Sequence, residues 1–97
     1  MIKNPAATFF VRVSGDSMVG AGIHNDDILV VDRSLEAKTG NVVIAVLDGE
    51  LTVKRIRIRR KRIFLEPENE KYAVSEVDKE SDFQVWGVVT NVVHALL

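Results

Sequence analysis

Two stretches of this chain carry residue types that could break a bond. The first is Ser14-Gly15-Asp16-Ser17-Met18, with Gly20 and Gly22 close behind. A glycine-containing corner at the end of a strand can hold a serine hydroxyl outward and leave backbone N–H groups unpaired beside it. Those are the parts of a nucleophile and an oxyanion hole. The same pentapeptide also reads as a glycine-rich loop with an ordinary turn serine. The second stretch is Leu51-Thr52-Val53-Lys54-Arg55-Ile56-Arg57-Ile58-Arg59. Alternation puts Arg55, Arg57 and Arg59 on a wet face, and Thr52, Lys54, Ile56 and Ile58 on the other. A lysine in register with an apolar face either snorkels to solvent or loses its charge. With a pKa near ~10.4 it is neutral less than about 0.1% of the time at pH 7. Lowering that pKa by about 3 units costs on the order of 4 kcal/mol, much of the roughly 5–10 kcal/mol that holds a small domain together. A lysine kept at that cost has a use, and a neutral amine can take the proton of a serine hydroxyl.

Elimination points the same way. The chain has no cysteine, which removes a disulfide framework, a zinc–thiolate site and a thiol nucleophile. His24 and His94 are far apart in sequence, too few for an all-histidine metal site, and read as surface or strand-end residues. The carboxylates Asp26, Asp27, Asp48 and Glu50 fall in turns and read as solvated. No cofactor or metal is expected. Lys54–Arg62 holds seven basic residues in nine positions, yet no aromatic residue interleaves to stack a base. A net charge of −1 gives no bulk attraction to nucleic acid or an anionic membrane. The basic run reads as solubility or docking on an acidic protein surface.

The elements that must position these residues are strands. Ninety-seven residues make one domain, with 46% hydrophobic and 28% charged residues and an aliphatic core. Alternation predicts strands over Thr8–Ser14, Ile28–Val31, Asn41–Leu47, Leu51–Ile58, Arg62–Glu66, Tyr72–Val77 and Phe83–Ala95. Asp48-Gly49 between two β-branched runs is a hairpin signal, since both turn residues need φ > 0. Ser34–Lys38 and the segment around Met18 are the best short helix candidates. The expected fold is mainly β, a small, curled, partly open barrel. No apolar stretch approaches the roughly 18–20 residues of a membrane helix, and no signal peptide opens the chain, so a cytoplasmic protein is expected. Val88, Val89, Val92 and Val93 give the last strand apolar side chains on both faces, which predicts a homodimer that covers the second face.

Taken together, Ser14-Gly15-Asp16-Ser17-Met18 and the later Glu50-Leu51-Thr52-Val53-Lys54 resemble the LexA/UmuD family of self-cleaving SOS-response proteins. Asp26-Asp27-Ile28-Leu29-Val30-Val31-Asp32 looks like that family's strand after the serine loop. Leu65-Glu66-Pro67-Glu68-Asn69 looks like its Leu-x-Pro-x-Asn segment. Val85-Trp86-Gly87-Val88-Val89 with Val92-Val93 is most similar to the UmuD branch. The resemblance covers roughly residues 5–97. It implies Ser17 as nucleophile, Lys54 as general base, and oxyanion stabilisation by backbone N–H groups around Asp16 and Ser17. Thr52, on the same strand face as Lys54, is placed to orient the amine. It also implies cleavage of the protein's own N-terminal arm, stimulated by a RecA–single-stranded DNA filament. In the UmuD branch, a trimmed homodimer then joins an error-prone translesion polymerase subunit.

One departure matters. The family cuts after a small residue, typically at an Ala-Gly or Cys-Gly bond well upstream of the serine. Only sixteen residues precede Ser17 here and none forms such a bond, while Ala21-Gly22 is too near to fold back. The chain is therefore expected to be a single peptidase core, residues 1–97, lacking its cleavable arm. No helix-turn-helix precedes it, so sequence-specific DNA binding is not expected. Three alternatives stay open: an accessory subunit with a relic dyad, the C-terminal dimerisation and self-cleavage domain of a LexA- or phage-type repressor, and a signal-peptidase-like enzyme.

Overall fold

The computed structural model describes residues 4–96. Seven strands form one antiparallel sheet: β1 (Thr8–Arg12), β2 (Ile28–Asp32), β3 (Val42–Leu47), β4 (Glu50–Arg59), β5 (Arg62–Glu66), β6 (Ser75–Glu76) and β7 (Phe83–Val93). Their order is β1-β2-β7-β3-β4-β5-β6, so the sheet curls without closing. The expected mainly β, partly open architecture is present.

β7 joins the two halves of the sheet. Phe83–Val88 pairs with β3 and Val88–Val93 with β2. The registers skip Thr90 opposite β2 and Trp86 opposite β3. Each skipped residue is a bulge, which bends the strand and raises its twist. Gly87 lies in the bend because a Cβ there would sit 2.6 Å from Val31 Cγ1. The bending separates two aliphatic clusters. Val13, Met18, Ile23, Leu29, Val31 and Ile44 fill the first, and Val43, Ala45, Ile56 and Val88 fill the second.

Most apolar residues of the last strand thus have partners within this chain, while Val93 stays 44% exposed. Val88 and Val85 pack on the second cluster, and Val89 and Val92 on the first. The sequence argument for a second copy thereby narrows to the exposed end of the strand. What remains is an edge. Among the described residues, Val89–Val93 has a strand neighbour only on the β2 side.

Two expectations change. The Tyr72–Val77 strand shrinks to Ser75–Glu76, because Asn69 turns the chain. Its carbonyl accepts the Tyr72 N–H, and its side-chain oxygen accepts the Lys71 N–H. Ser34–Lys38 is not helical. The Asp32 carboxylate accepts both the N–H and the hydroxyl of Ser34 at 2.8 and 2.6 Å, an Asx-turn that competes with a helix start. Near Met18 a short 3-10 turn, Val19–Ala21, does form, and Pro5–Ala7 forms another.

Candidate active site

The site lies where two strands run out of partners. β4 pairs with β3 along Glu50–Arg55, but its pairing with β5 begins only at Arg55. The Asp48-Gly49 turn, with φ of 50° and 85°, makes Leu47 and Glu50 a hydrogen-bonded pair. Alternation then turns the backbone groups of Leu51 and Val53 away from β3. On the other side, Val13 and Ala7 spend their backbone groups on the β2 side, which turns those of Phe10 and Arg12 outward. Between these edges lies a cleft of about 190 Å³ lined by Val11–Gly15, Ser17, Met18 and Leu51–Lys54.

Ser17 and Lys54 meet in this cleft. Lys54 Nζ lies 3.0 Å from Ser17 Oγ, 3.0 Å from Thr52 Oγ1 and 3.0 Å from the Val53 carbonyl oxygen. Val53 O faces the unpaired edge, so the amine has curled around the rim of β4 instead of snorkelling to bulk water. None of its three partners is a carboxylate. Burial is the cause that pushes the Lys54 ammonium below the ordinary lysine range.

The serine loop is held by a segment to which sequence reasoning assigned no role. Gly15, at φ 98°, turns the chain out of β1, and its N–H donates to Asn25 Oδ1. The Ser17 carbonyl accepts the Glu68 N–H at 2.8 Å, and the Asp16 carbonyl accepts Asn69 Nδ2 at 2.9 Å. Gly20 N–H donates to Glu68 O at 2.7 Å, and a Cβ on Gly20 would meet that oxygen at 2.7 Å. Tyr72 hydroxyl donates to the Asp16 carboxylate, which raises the tyrosine pKa. Asp16 therefore carries its load through the backbone carbonyl and a carboxylate turned to Tyr72. Among the described residues, the N–H groups of Asp16, Ser17 and Met18 donate to no protein acceptor. The Leu-x-Pro-x-Asn likeness was the available signal for Glu68 and Asn69; nothing local marked Tyr72.

Two further readings change. Asp27 is not solvated but 6% exposed. It accepts the His24 N–H at 2.7 Å and lies 2.8 Å from His94 Nδ1, and both interactions lower its pKa. His24 and His94, far apart in sequence, have ring centroids 5.9 Å apart. Among the described residues, no group of three or more His, Asp and Glu side chains is arranged to hold a metal ion. The supposedly wet Arg55 and Arg57 are part-buried ion pairs, with Glu68 at 2.6 Å and Glu66 at 3.3 Å. Among the described residues, no helix is long and apolar enough to cross a membrane.

Comparison with known proteins places the chain in a family. The Peptidase S24-like family matches residues 1–90. Protein ImpA of Salmonella typhimurium is 47% identical over 93 residues, 96% of this chain and 63% of its own length. Protein MucA of the same species is 45% identical over 91 residues, 93% of this chain and 62% of its own. LexA repressor 2 of Xanthomonas axonopodis pv. citri is 40% identical over 85 residues, 88% of this chain and 40% of its own length. The chain thus spans less than two thirds of these relatives. With the family matching nearly its whole length, the chain belongs to the S24 peptidase-like proteins, the LexA/UmuD family.

Proposed function

We propose that this chain is the Ser-Lys peptidase core of a UmuD-like SOS-response protein. The observation that carries the reading is the 3.0 Å approach of Lys54 Nζ to Ser17 Oγ at the mouth of a cleft between two unpaired strand edges. Val53 O can only accept, so it takes one N–H of the amine, and Thr52 Oγ1 accepts a second. In the neutral amine, the remaining tetrahedral direction is a lone pair aimed at the Ser17 hydroxyl. Thr52 and Val53 thereby orient the base.

A peptide laid along the exposed backbone groups of β4 extends the sheet and brings its scissile carbonyl to Ser17. Ser17 Oγ bonds to the carbonyl carbon while its proton passes to Lys54 Nζ. The unpaired N–H groups around Asp16 and Ser17 stabilise the oxyanion. When the C–N bond breaks, Lys54 returns the proton to the departing amine. Water then hydrolyses the acyl-serine by the same base. No carboxylate is needed, because burial already disfavours the protonated lysine.

The biological setting follows by family likeness: cleavage of an N-terminal arm stimulated by a RecA–single-stranded DNA filament, in the cytoplasm, then service as an accessory subunit of an error-prone polymerase. The unpaired Val89–Val93 edge is a place for two copies to join in a homodimer. A second reading, the self-cleavage domain of a repressor, has the LexA repressor 2 likeness in its favour. The ImpA and MucA likenesses reach higher identity over more of this chain.

The test uses ImpA of Salmonella typhimurium with its matching serine changed to alanine as substrate. Mass spectrometry should find one cut in its N-terminal arm when this chain is added at alkaline pH. The cut should vanish with Ser17→Ala. Absence of cutting at every pH overturns the peptidase reading and leaves an accessory subunit with a relic dyad.

A further inference from the structure

The β4–β5 hairpin breaks a rule that the β3–β4 hairpin obeys. Both have two-residue turns with positive φ at both positions. Asp48-Gly49 uses residues suited to that conformation. Arg60-Lys61, with φ of 49° and 67°, uses two long side chains that strain it. Local rules that fail without a packing reason mark functional sites, and Arg60 and Lys61 are both exposed.

Charge around the turn is uneven. Arg55, Arg57 and Arg62 each face a glutamate. Among the described residues, Arg59, Arg60 and Lys61 form no ion pair. A chain with net charge −1 thus concentrates three uncompensated cations at one protruding tip. Beside the tip lies a groove of about 180 Å³ lined by Arg57, Arg59, Phe64, Glu66 and Val74. Its apolar part is Phe64, held under Arg62 by a cation–π contact of 5.2 Å, and Val74, 55% exposed.

We infer that this hairpin is a docking surface for a partner protein, and that it takes an extended acidic segment with interleaved apolar side chains. The carboxylates meet Arg59, Arg60 and Lys61, and an apolar side chain covers Phe64 and Val74. Charge complementarity favours an acidic ligand, and the apolar groove favours a peptide over a phosphate backbone. Arg59 lies five positions along the extended strand from Lys54, roughly 17 Å at ~3.4 Å per residue. A bound partner therefore leaves the cleft free.

The probe is a fluorescein-labelled octapeptide alternating glutamate and leucine, with an all-glutamate octapeptide and a short DNA duplex as comparators. Anisotropy should register the alternating peptide, more tightly below than above about 0.15 M salt. Amide shift changes should centre on Arg57–Glu66 and Val74. Arg59→Glu should weaken binding about tenfold or more, and Val74→Ser should weaken it without altering the salt dependence. The double change Arg60→Asn with Lys61→Gly should raise the melting temperature and weaken binding together. Cleavage by the Ser17 site should be unaffected by these variants. Failure of the alternating peptide to bind, equal binding of the all-glutamate peptide, tighter binding of the duplex, or unchanged binding after the double change would each overturn the inference.

Discussion

The two halves of β4 place their cations in different surroundings. From Arg55 to Arg59 the strand pairs with β5, and Arg55 and Arg57 sit against Glu68 and Glu66. From Glu50 to Lys54 it has β3 alone, and the lysine meets only neutral oxygens. A carboxylate would hold Lys54 charged, and its absence lets burial act unopposed. Arginine could not substitute, because it does not deprotonate in this range. One half of the strand uses its cations to hold the sheet together. The other leaves an amine free to change protonation state.

The strongest attack on that contrast is on the dyad itself. Ser17→Ala, Lys54→Ala and Lys54→Arg should each lower cleavage of an arm-bearing substrate on the order of 10⁴-fold. Circular dichroism and melting should stay close to the parent protein. A Lys54→Arg variant with substantial activity would erase the difference between the halves.

Proline separates the halves by their backbone. At Arg57 it removes a ladder bond to β5 and should cost about 3 kcal/mol or more, read by urea melting. At Leu51 the lost N–H faces the open edge, so stability should change by about 1 kcal/mol or less. Cleavage should still fall about tenfold, because a substrate strand loses one donor. Equal destabilisation at both positions would mean that the edge is not open.

Acidity sharpens the comparison further. Below its lowered pKa, Lys54 must be stripped of a proton before it can act, so the rate should rise about tenfold per pH unit and level off below the ordinary ~10.4. Stability moves the same way. The folded state binds that proton less tightly than the unfolded chain does, so stability rises with pH between the folded and unfolded pKa values. Lys54→Met should flatten that rise. A rate that is independent of pH, with chemistry limiting, would remove the lysine from its role.

Two smaller changes complete the series. Gly20→Ala puts a methyl 2.7 Å from Glu68 O. The displaced loop should cost about 1–3 kcal/mol and move Ser17 from Lys54, so cleavage falls more than stability alone explains. In the paired half, Arg57→Ala should cost only about 0.2–1 kcal/mol and leave cleavage unchanged. A large catalytic loss there would couple the halves.

Much of this protein is legible from local pattern. Alternation located the strands, since side-chain direction repeats every two residues whatever the neighbours are. It also put Thr52 beside Lys54 and separated both from the arginines. Asp48-Gly49 announced its turn because few residue pairs accept two positive φ values. Arg60-Lys61-Arg62 was legible as a turn from the strands on either side and not from its own residues, which violate the same preference; Arg62 in fact opens β5.

What long-range pairing decides was out of reach. Tyr72 looked like a strand residue until the Asn69 turn delivered its hydroxyl to Asp16. Val88 and Val89 looked like surplus apolar surface until two bulges let β7 serve both core clusters. Asp27 looked solvated because nothing nearby in sequence announces His94. The sequence by itself determined the residue types, their strand faces and the chemistry they could do. Tertiary structure alone decided which edge stayed unpaired, which cations met carboxylates and which oxygens surrounded Lys54. Those outcomes depend on contacts between residues distant in the chain, and no local propensity encodes a pKa shift made by such neighbours.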